Sequence, residues 1–370
     1  MNNTGFFWDE ECFWHAGGNY AFVAKVGGLV QPLAAGGLPE SPETKRRLVN
    51  LMRVTGLLDR LQVSSAPPAT DEELRRVHPA SFLKAFKELS DAEGGELGLR
   101  TPFGHGGFER SALAAGLVRQ ALFDVLDGKR ENAYALARPP GHHCLPDYPM
   151  GFCLLANIAI AVESAMAAGK CERVAVLDWD VHHGNGTEAI FIDRPDVLTL
   201  SIHQEHNFPF DTGGVEVRGQ GAGEGYNFNL PLVPGAGHDA YLYAFERVIE
   251  PTLRQYKPDV IIVANGYDAS LVDPLSRMLA TAETFAEMTR RTMAIAQDCC
   301  DGRLVMAHEG GYSELHVPFC GHAVIDAMAG TQIDAPDPLA ARGEANQPNA
   351  RGVEFHRSIV DELAEVLLSR

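Results

Sequence analysis

Basic residues are scarce in this chain: 31 Lys and Arg stand against 49 Asp and Glu, a formal charge of −18 over 370 residues. Phosphate backbones are gripped by Lys/Arg stripes and anionic lipid by basic clusters, so this balance argues against nucleic acid and a membrane surface as partners. No run approaches the roughly eighteen apolar residues that a bilayer span requires. A basic n-region is also missing. The N-terminus reads MNNTGFFWDEECFWH, with Asp9, Glu10 and Glu11 inside its only apolar stretch, which does not read as a signal peptide. Seven cysteines contain no CxxC pair, and the adjacent Cys299 and Cys300 suit neither a zinc knuckle nor an ordinary disulfide. Buried, reduced thiols in a cytoplasmic protein are the expectation. The chain holds no internal repeat and no low-complexity tract.

What is present is ordinary globular material. Hydrophobic residues make up 45% and charged residues 22%, enough for a large core. Helical periodicity runs over Pro42–Leu61, Gly107–Asp127, Ala156–Ala168, Ala240–Tyr256 and Ala282–Cys300. Between these lie short apolar runs at 133–137, 174–180, 197–203, 259–264 and 303–308. They are near-continuous rather than alternating, the mark of parallel strands covered on both faces. Strands alternating with helices predict an α/β fold of three layers, α/β/α, around a mostly parallel central sheet. Two stretches are irregular. Gly17 to Pro42 is Gly- and Pro-rich and reads as a long entrance loop. Gln332 to Asn349 is polar and leads along the surface to a last amphipathic helix, Glu354–Leu368. Neither resembles an interdomain linker, so residues 1–370 read as one domain, with an entrance loop at 17–42 and a C-terminal surface segment and helix at 332–370.

In open α/β sheets, function gathers beyond the carboxyl ends of the strands. Four of the five runs end in groups that bind metals or move protons: Arg138-Pro-Pro-Gly-His-His143, Asp178-Trp-Asp180-Val-His182-His183-Gly-Asn185, Asn265-Gly-Tyr-Asp268 and Glu309-Gly-Gly-Tyr312. Residues i and i+2 of an extended segment share a face, so Asp180 and His182 can reach one cation. Asp178 lies on the same face, one layer deeper, and Asp268 adds a carboxylate from a neighbouring strand end. Asp/His/Asp with an open fourth position suits a catalytic Zn²⁺, and an oxygen-rich set also admits Mn²⁺ or Fe²⁺. An isolated Asp-x-His would read as a salt-bridged loop pair, but matching polar groups at three other strand ends decide for a metal. Pro139, Pro140 and Gly141 fix a rigid turn that aims His142 and His143 in defined directions, suiting general base and general acid roles. Tyr312, after Gly310 and Gly311, places a phenol that can donate to a developing oxyanion.

Together these segments resemble the histone deacetylase superfamily, also called the arginase/deacetylase fold, and most closely the bacterial class II-like histone deacetylase-like amidohydrolases. The matching pieces are RPPGHH (138–143), MGFCLLAN (150–157), VLDWDVHHGNGT (176–187), LSIH (200–203), GYDAS (266–270), DPL (273–275) and HEGGY (308–312), with SPETKRR (41–47) extending the likeness. The resemblance implies hydrolysis of an N-acyl amide, usually acetyl-lysine-like, with one catalytic Zn²⁺ per chain held by Asp180, His182 and Asp268. It implies His143 as general base and then acid, His142 paired with Asp178, and Tyr312 polarising the carbonyl. It places Asn185 as the partner of His143, where class I relatives carry Asp, which supports the class II assignment. It also implies a narrow substrate channel of Phe152, Phe208, Gly151, Pro140 and Leu275. Finally it implies structural K⁺: one ion at Asp178 and Ser201, with carbonyls of Asp180, His182 and Ile202, and a second at carbonyls of Phe191, Arg194, Val197 and Tyr226. Family precedent and the long entrance loop lean towards a homo-oligomer.

The chain departs from the family pattern at Asn265 and Tyr267, beside a metal ligand. Around Leu97 to Phe103 it shows no aspartate of the kind that grips a peptide backbone; Arg100 is the nearest charged residue. Leu275 stands where polyamine-specific relatives can carry a glutamate. His15 reads as a surface residue near the entrance. The leading expectation is a zinc amidohydrolase acting on lysine-like or small-molecule amides. Rivals are an acetylpolyamine or xenobiotic amide hydrolase of the same superfamily and, more distantly, a catalytically silent acyl-amine sensor. A ureohydrolase would need a two-metal, Asp-rich set that this chain does not show.

Overall fold

The structure is a computed structural model that describes residues 2–31 and 37–369. Its centre is an eight-stranded sheet of Thr4–Phe7 (β1), Gln62–Ser64 (β2), Asn132–Ala135 (β3), Val174–Asp178 (β4), Val197–Gln204 (β5), Asn227–Leu232 (β6), Val260–Asn265 (β7) and Leu304–His308 (β8). The spatial order is β6-β5-β4-β7-β8-β3-β1-β2, and every pairing is parallel. The interior strands β4, β5, β7 and β8 are buried at every position, as continuous apolar runs require when helices cover both faces.

The flanking layers follow from the amphipathic segments. Helices Glu43–Thr55 (α1), Gly107–Leu126 (α2), Asn157–Ala167 (α3), Asn185–Phe191 (α4), Ala282–Cys300 (α5), Val317–Ala329 (α6) and Ala350–Leu368 (α7) carry most of this covering. α2 packs on α3, while α6 lies between α1 and α5. The segment expected as one helix at Ala240–Tyr256 is continuous from His238 but passes through a π-helical stretch at Phe245–Ile249.

Three strands escaped the periodicity reading. β1 is only four residues long and β2 only three. β6 is an edge strand that contains Pro231, a residue that argues against a strand interior. The first helix stops at Thr55 rather than Leu61, because Gly56 takes the left-handed conformation (φ 82°) that closes a helix. The last helix starts at Ala350 rather than Glu354, because the Asn349 side chain accepts from the Arg351 and Gly352 N–H groups and caps it. The entrance loop is not wholly irregular either: Tyr20–Ala21 pairs antiparallel with Ala24–Lys25. All seven cysteines are free thiols, six of them buried.

The topology decides where chemistry can occur. β4, β7, β8 and β3 lie side by side, and these are the four strands whose carboxyl ends carry the polar groups. Parallel pairing brings all four ends to one edge of the sheet, so residues from 138 to 312 converge there.

Candidate active site

Asp180 and His182 follow β4 directly, and Asp268 follows β7. The His182 Nδ1 lies 3.0 Å from Asp180 Oδ1 and 3.0 Å from Asp268 Oδ2, and all three residues are buried. Backbone amides hold the carboxylates in place. Gly310 N–H donates to Asp180 Oδ2 at 2.8 Å, and Val181 N–H donates to Asp268 Oδ1 at 2.8 Å. Gly310 is obligatory here, since a Cβ on it would sit 2.2 Å from Asp268 Oδ2 and 2.5 Å from Asp180 Oδ2.

The fit of this trio to a cation can be argued from the donors alone. One imidazole nitrogen carries at most one proton, so it cannot satisfy two buried carboxylate oxygens at once. Burial works against a charged His182, yet the two carboxylates push its pKa up to about 10. The pocket draws positive charge strongly. Two oxygens and one nitrogen within mutual reach match the donor set and spacing of a tetrahedral Zn²⁺ site with one position left open.

Beside this trio stand the two histidines of the Pro-Pro-Gly turn. Their rings are 3.9 Å apart between centroids. His142 Nδ1 meets Asp178 Oδ2 at 2.9 Å, and His143 Nδ1 meets Asn185 Oδ1 at 2.8 Å. The two dyads differ in charge, and the imidazoles respond in opposite directions. Burial opposes a charged His142, but the Asp180 and Asp178 carboxylates push its pKa up to about 10. Burial, together with the neighbouring His142 and His182, holds His143 well below the usual histidine range. An amide partner cannot restore it. His143 is thus neutral near pH 7, with Nδ1–H given to Asn185 and Nε2 free to accept.

The Tyr312 backbone N–H donates to Asp273 Oδ2 at 2.8 Å, which anchors the residue behind its ring. Burial and then the Asp268, Asp180 and Asp273 carboxylates push the phenol far above its ordinary pKa, so it stays a proton donor. His143, His182 and Tyr312 share a cavity of about 190 Å³ with Gly151, Phe152, Phe208 and Leu275, and with Val23, Arg100, Asn207 and Phe210. Gly151 (φ 55°) lets the wall approach closely; a Cβ there would fall 2.4 Å from His143 Cδ2. Val23 comes from the entrance loop.

Pro140, expected on the channel wall, is buried and does not line this cavity. The turn is pinned from below: Glu309 Oε2 accepts from Gly141 N–H (2.7 Å) and His142 N–H (3.1 Å), which turns the imidazoles forward and leaves the proline in the core. His15, expected at the surface, is buried, and its carbonyl accepts from Arg138 Nη1 at 2.9 Å. Of the residues expected around K⁺, Ser201 stands opposite Asp178 in the β4–β5 register, with its hydroxyl 2.9 Å from His203 Nδ1, and Ile202 follows it on β5. Phe191, Arg194, Val197 and Tyr226 gather near the start of β5: Arg194 N–H donates to the Phe191 carbonyl and Thr199 N–H to the Tyr226 carbonyl, each at 3.0 Å.

Several supporting contacts were not readable from the sequence. Arg138 donates to Glu40 Oε1 at 3.0 Å, and Lys45 donates to the same oxygen at 2.9 Å, all three side chains being buried. Burial resists ionisation of Glu40, but the two cations hold it far below the carboxylate range. The departures Asn265 and Tyr267 form a buried network: Asn265 accepts from Trp179 Nε1 (2.7 Å) and donates to the Tyr267 hydroxyl (2.8 Å), which meets the Tyr134 hydroxyl at 3.1 Å.

The chain is similar to known proteins over most of its length. The histone deacetylase domain model matches residues 38–328. A histone deacetylase-like amidohydrolase of Pseudomonas aeruginosa is 54% identical over 361 residues, 98% of this chain and 95% of that protein. A probable deacetylase of Archaeoglobus fulgidus is 40% identical over 303 residues, covering 80% of this chain and 84% of its own. The crystal structure of the HDA15 HD domain superposes with a TM-score of 0.82 at 28% identity, covering 98% of both chains.

Proposed function

The chain belongs to the histone deacetylase family and is an amide-bond hydrolase of that family; we propose that its substrates are N-acylated amines of the acyl-lysine type or small-molecule amides, and that it works with one Zn²⁺ per chain. The observation that carries this reading is the meeting of Asp180, His182 and Asp268, of which His182 lines a cavity walled by Phe152 and Phe208. Two aromatic faces suit a methylene chain, which has nothing to hydrogen-bond. Asp180, His182 and Asp268 would hold the ion. When bound, Zn²⁺ supplies Lewis-acid polarisation and makes water nucleophilic near neutral pH.

The side chains do the rest. His143 Nε2 takes a proton from the attacking water as its oxygen closes on the acyl carbon. The same nitrogen then delivers that proton to the leaving amine. Asn185 fixes the tautomer of His143 without adding charge. His142, paired with Asp178 and raised by the Asp180 and Asp178 carboxylates, keeps the pKa of His143 low and the ring ready as a base. The Tyr312 hydroxyl donates to the carbonyl oxygen as negative charge builds on it. Structural K⁺ at Asp178 and Ser201, a cytoplasmic setting and a homo-oligomeric state complete the proposal.

The test is a hydrolysis panel on the zinc-loaded enzyme: acetyl-lysine peptides, trifluoroacetyl-lysine amides, acetylated polyamines and aryl amides, with chelated enzyme as control. Preference for lysine-type amides is expected. Preference for polyamines would overturn the substrate class, because Leu275 gives a distal ammonium no partner. No turnover with zinc bound would move the sensor reading forward.

A further inference from the structure

The rim of the cavity carries one formal charge, and it is positive. Among the described residues lining the cavity no Asp or Glu occurs, and the histidines stand at its floor; Val23, Asn207, Phe210 and Leu275 are neutral. Arg100 is the exception, in a protein whose net charge is −18. Among the described residues its guanidinium makes no ion pair and no hydrogen bond, and it lies over the Phe208 ring, 5.4 Å from the centroid. The acid on the same loop is engaged elsewhere: Glu96 accepts from the Tyr20 hydroxyl, from Lys25 Nζ at 3.0 Å and from Thr101 N–H at 3.2 Å.

The backbone holds Arg100 in this position. Its φ is +58°, a conformation that costs a non-glycine residue energy. The strain is sustained by the cavity wall. The Arg100 carbonyl accepts from Phe152 N–H at 3.1 Å, the Leu99 carbonyl accepts from Gly151 N–H at 3.0 Å, and Leu99 N–H donates to the Pro149 carbonyl at 3.2 Å. The segment that shapes the channel therefore also fixes the cation at its mouth. A half-buried guanidinium stacked on an aromatic face, with its donors unused, suits a planar anion that it can grip with two parallel hydrogen bonds.

We propose that Arg100 selects substrates carrying a carboxylate at the end remote from the scissile acyl group, such as acyl-lysine-type amides with a free α-carboxylate; this rests on the amidohydrolase reading above. A chain-internal acyl-lysine presents no such group, and a polyamine presents the opposite charge.

The test uses zinc-loaded full-length enzyme and three probes that share one acyl-amine core and end in a carboxylate, a primary carboxamide or an ammonium. The readout is the ratio of kcat/KM between probes, in wild type, Arg100→Gln and Arg100→Glu. The wild-type enzyme should prefer the carboxylate over the carboxamide by about five-fold or more, mostly through KM, as a paired guanidinium–carboxylate contact implies. High salt should shrink the preference, since the pair is partly exposed. Arg100→Gln should bring the ratio near one, and Arg100→Glu should turn it in favour of the ammonium. Equal use of all three probes by the wild type, or a ratio indifferent to both variants, overturns the role of Arg100 while leaving the amidohydrolase reading standing. Turnover of none of the three overturns that reading, and the substrate class with it.

Discussion

Asn185→Asp tests the electrostatic logic of the site most directly. The exchange keeps shape and hydrogen-bond geometry but replaces an amide oxygen 2.8 Å from His143 Nδ1 with a carboxylate. In the wild type, burial and the adjacent His142 and His182 hold His143 well below the ordinary histidine range. A hydrogen bond to a charged partner is worth about 1.5–3 kcal/mol. At about 1.36 kcal/mol per pH unit, the basic form of His143 should give way to the imidazolium about 1 to 2 pH units higher. The sign follows from the role. A general base works when unprotonated, so activity is lost as pH falls through its pKa, and raising that pKa moves the acid limb upward. The assay is kcat/KM against pH, which reports the free enzyme, with zinc content measured for both proteins. An acid limb unmoved within about 0.3 of a pH unit, at equal metal content and judged against that expected shift, would show that His143 is not the base that limits the rate.

Other expectations follow from single contacts. Tyr312→Phe should lower kcat by at least about ten-fold with zinc content unchanged, because only an oxyanion donor is lost; equal kcat would remove Tyr312 from the reaction. Gly310→Ala should cost the metal rather than the fold, since its Cβ would meet the Asp180 and Asp268 carboxylates at 2.5 and 2.2 Å; stoichiometric zinc in a folded variant would refute the close-packed floor. Glu40→Gln should lower unfolding free energy by about 3–5 kcal/mol, as it strands Arg138 and Lys45 in the core; urea denaturation checks this. The Glu40 carboxyl is depressed in the fold, so its contribution is complete above the ordinary carboxylate pKa and fades as pH falls below it. The difference between wild type and Glu40→Gln should therefore narrow below about pH 4.5, and a gap that widened there would contradict the assignment.

The sequence disclosed the centre of the sheet and obscured its margins. Interior strands such as Val260–Asn265 are buried at every position, so they appear as apolar runs with no competing reading. Gln62–Ser64 is short and mostly exposed, and Asn227–Leu232 alternates polar and apolar residues around Pro231, so neither carries enough apolar signal to announce a strand. Helix ends were lost for a related reason. Gly56 and Asn349 act through backbone conformation and local hydrogen bonds, and a reading of apolar periodicity passes over both.

The site divides along the same physical line. Asp180, His182, Asp268, His142, His143 and Tyr312 were legible because each presents its own side chain at a strand end, in a short motif whose spacing sets its direction. What stayed hidden is the set of contacts that three further carboxylates make with backbone amides or with cations far along the chain. Glu309 holds the turn at Gly141 and His142 through two N–H groups, Asp273 holds the backbone of Tyr312, and Glu40 joins Lys45 to Arg138. An amide donor has no residue type, so it leaves nothing in a sequence to pair with the acid that uses it. Pro140 shows the consequence. The family resemblance implied a place for it on the channel, but Glu309 grips the turn at Gly141 and His142, and the proline lies buried outside the cavity lining. Residues that react can be read from their chemistry and spacing, whereas residues that aim them become visible only when the four strand ends are brought to one edge.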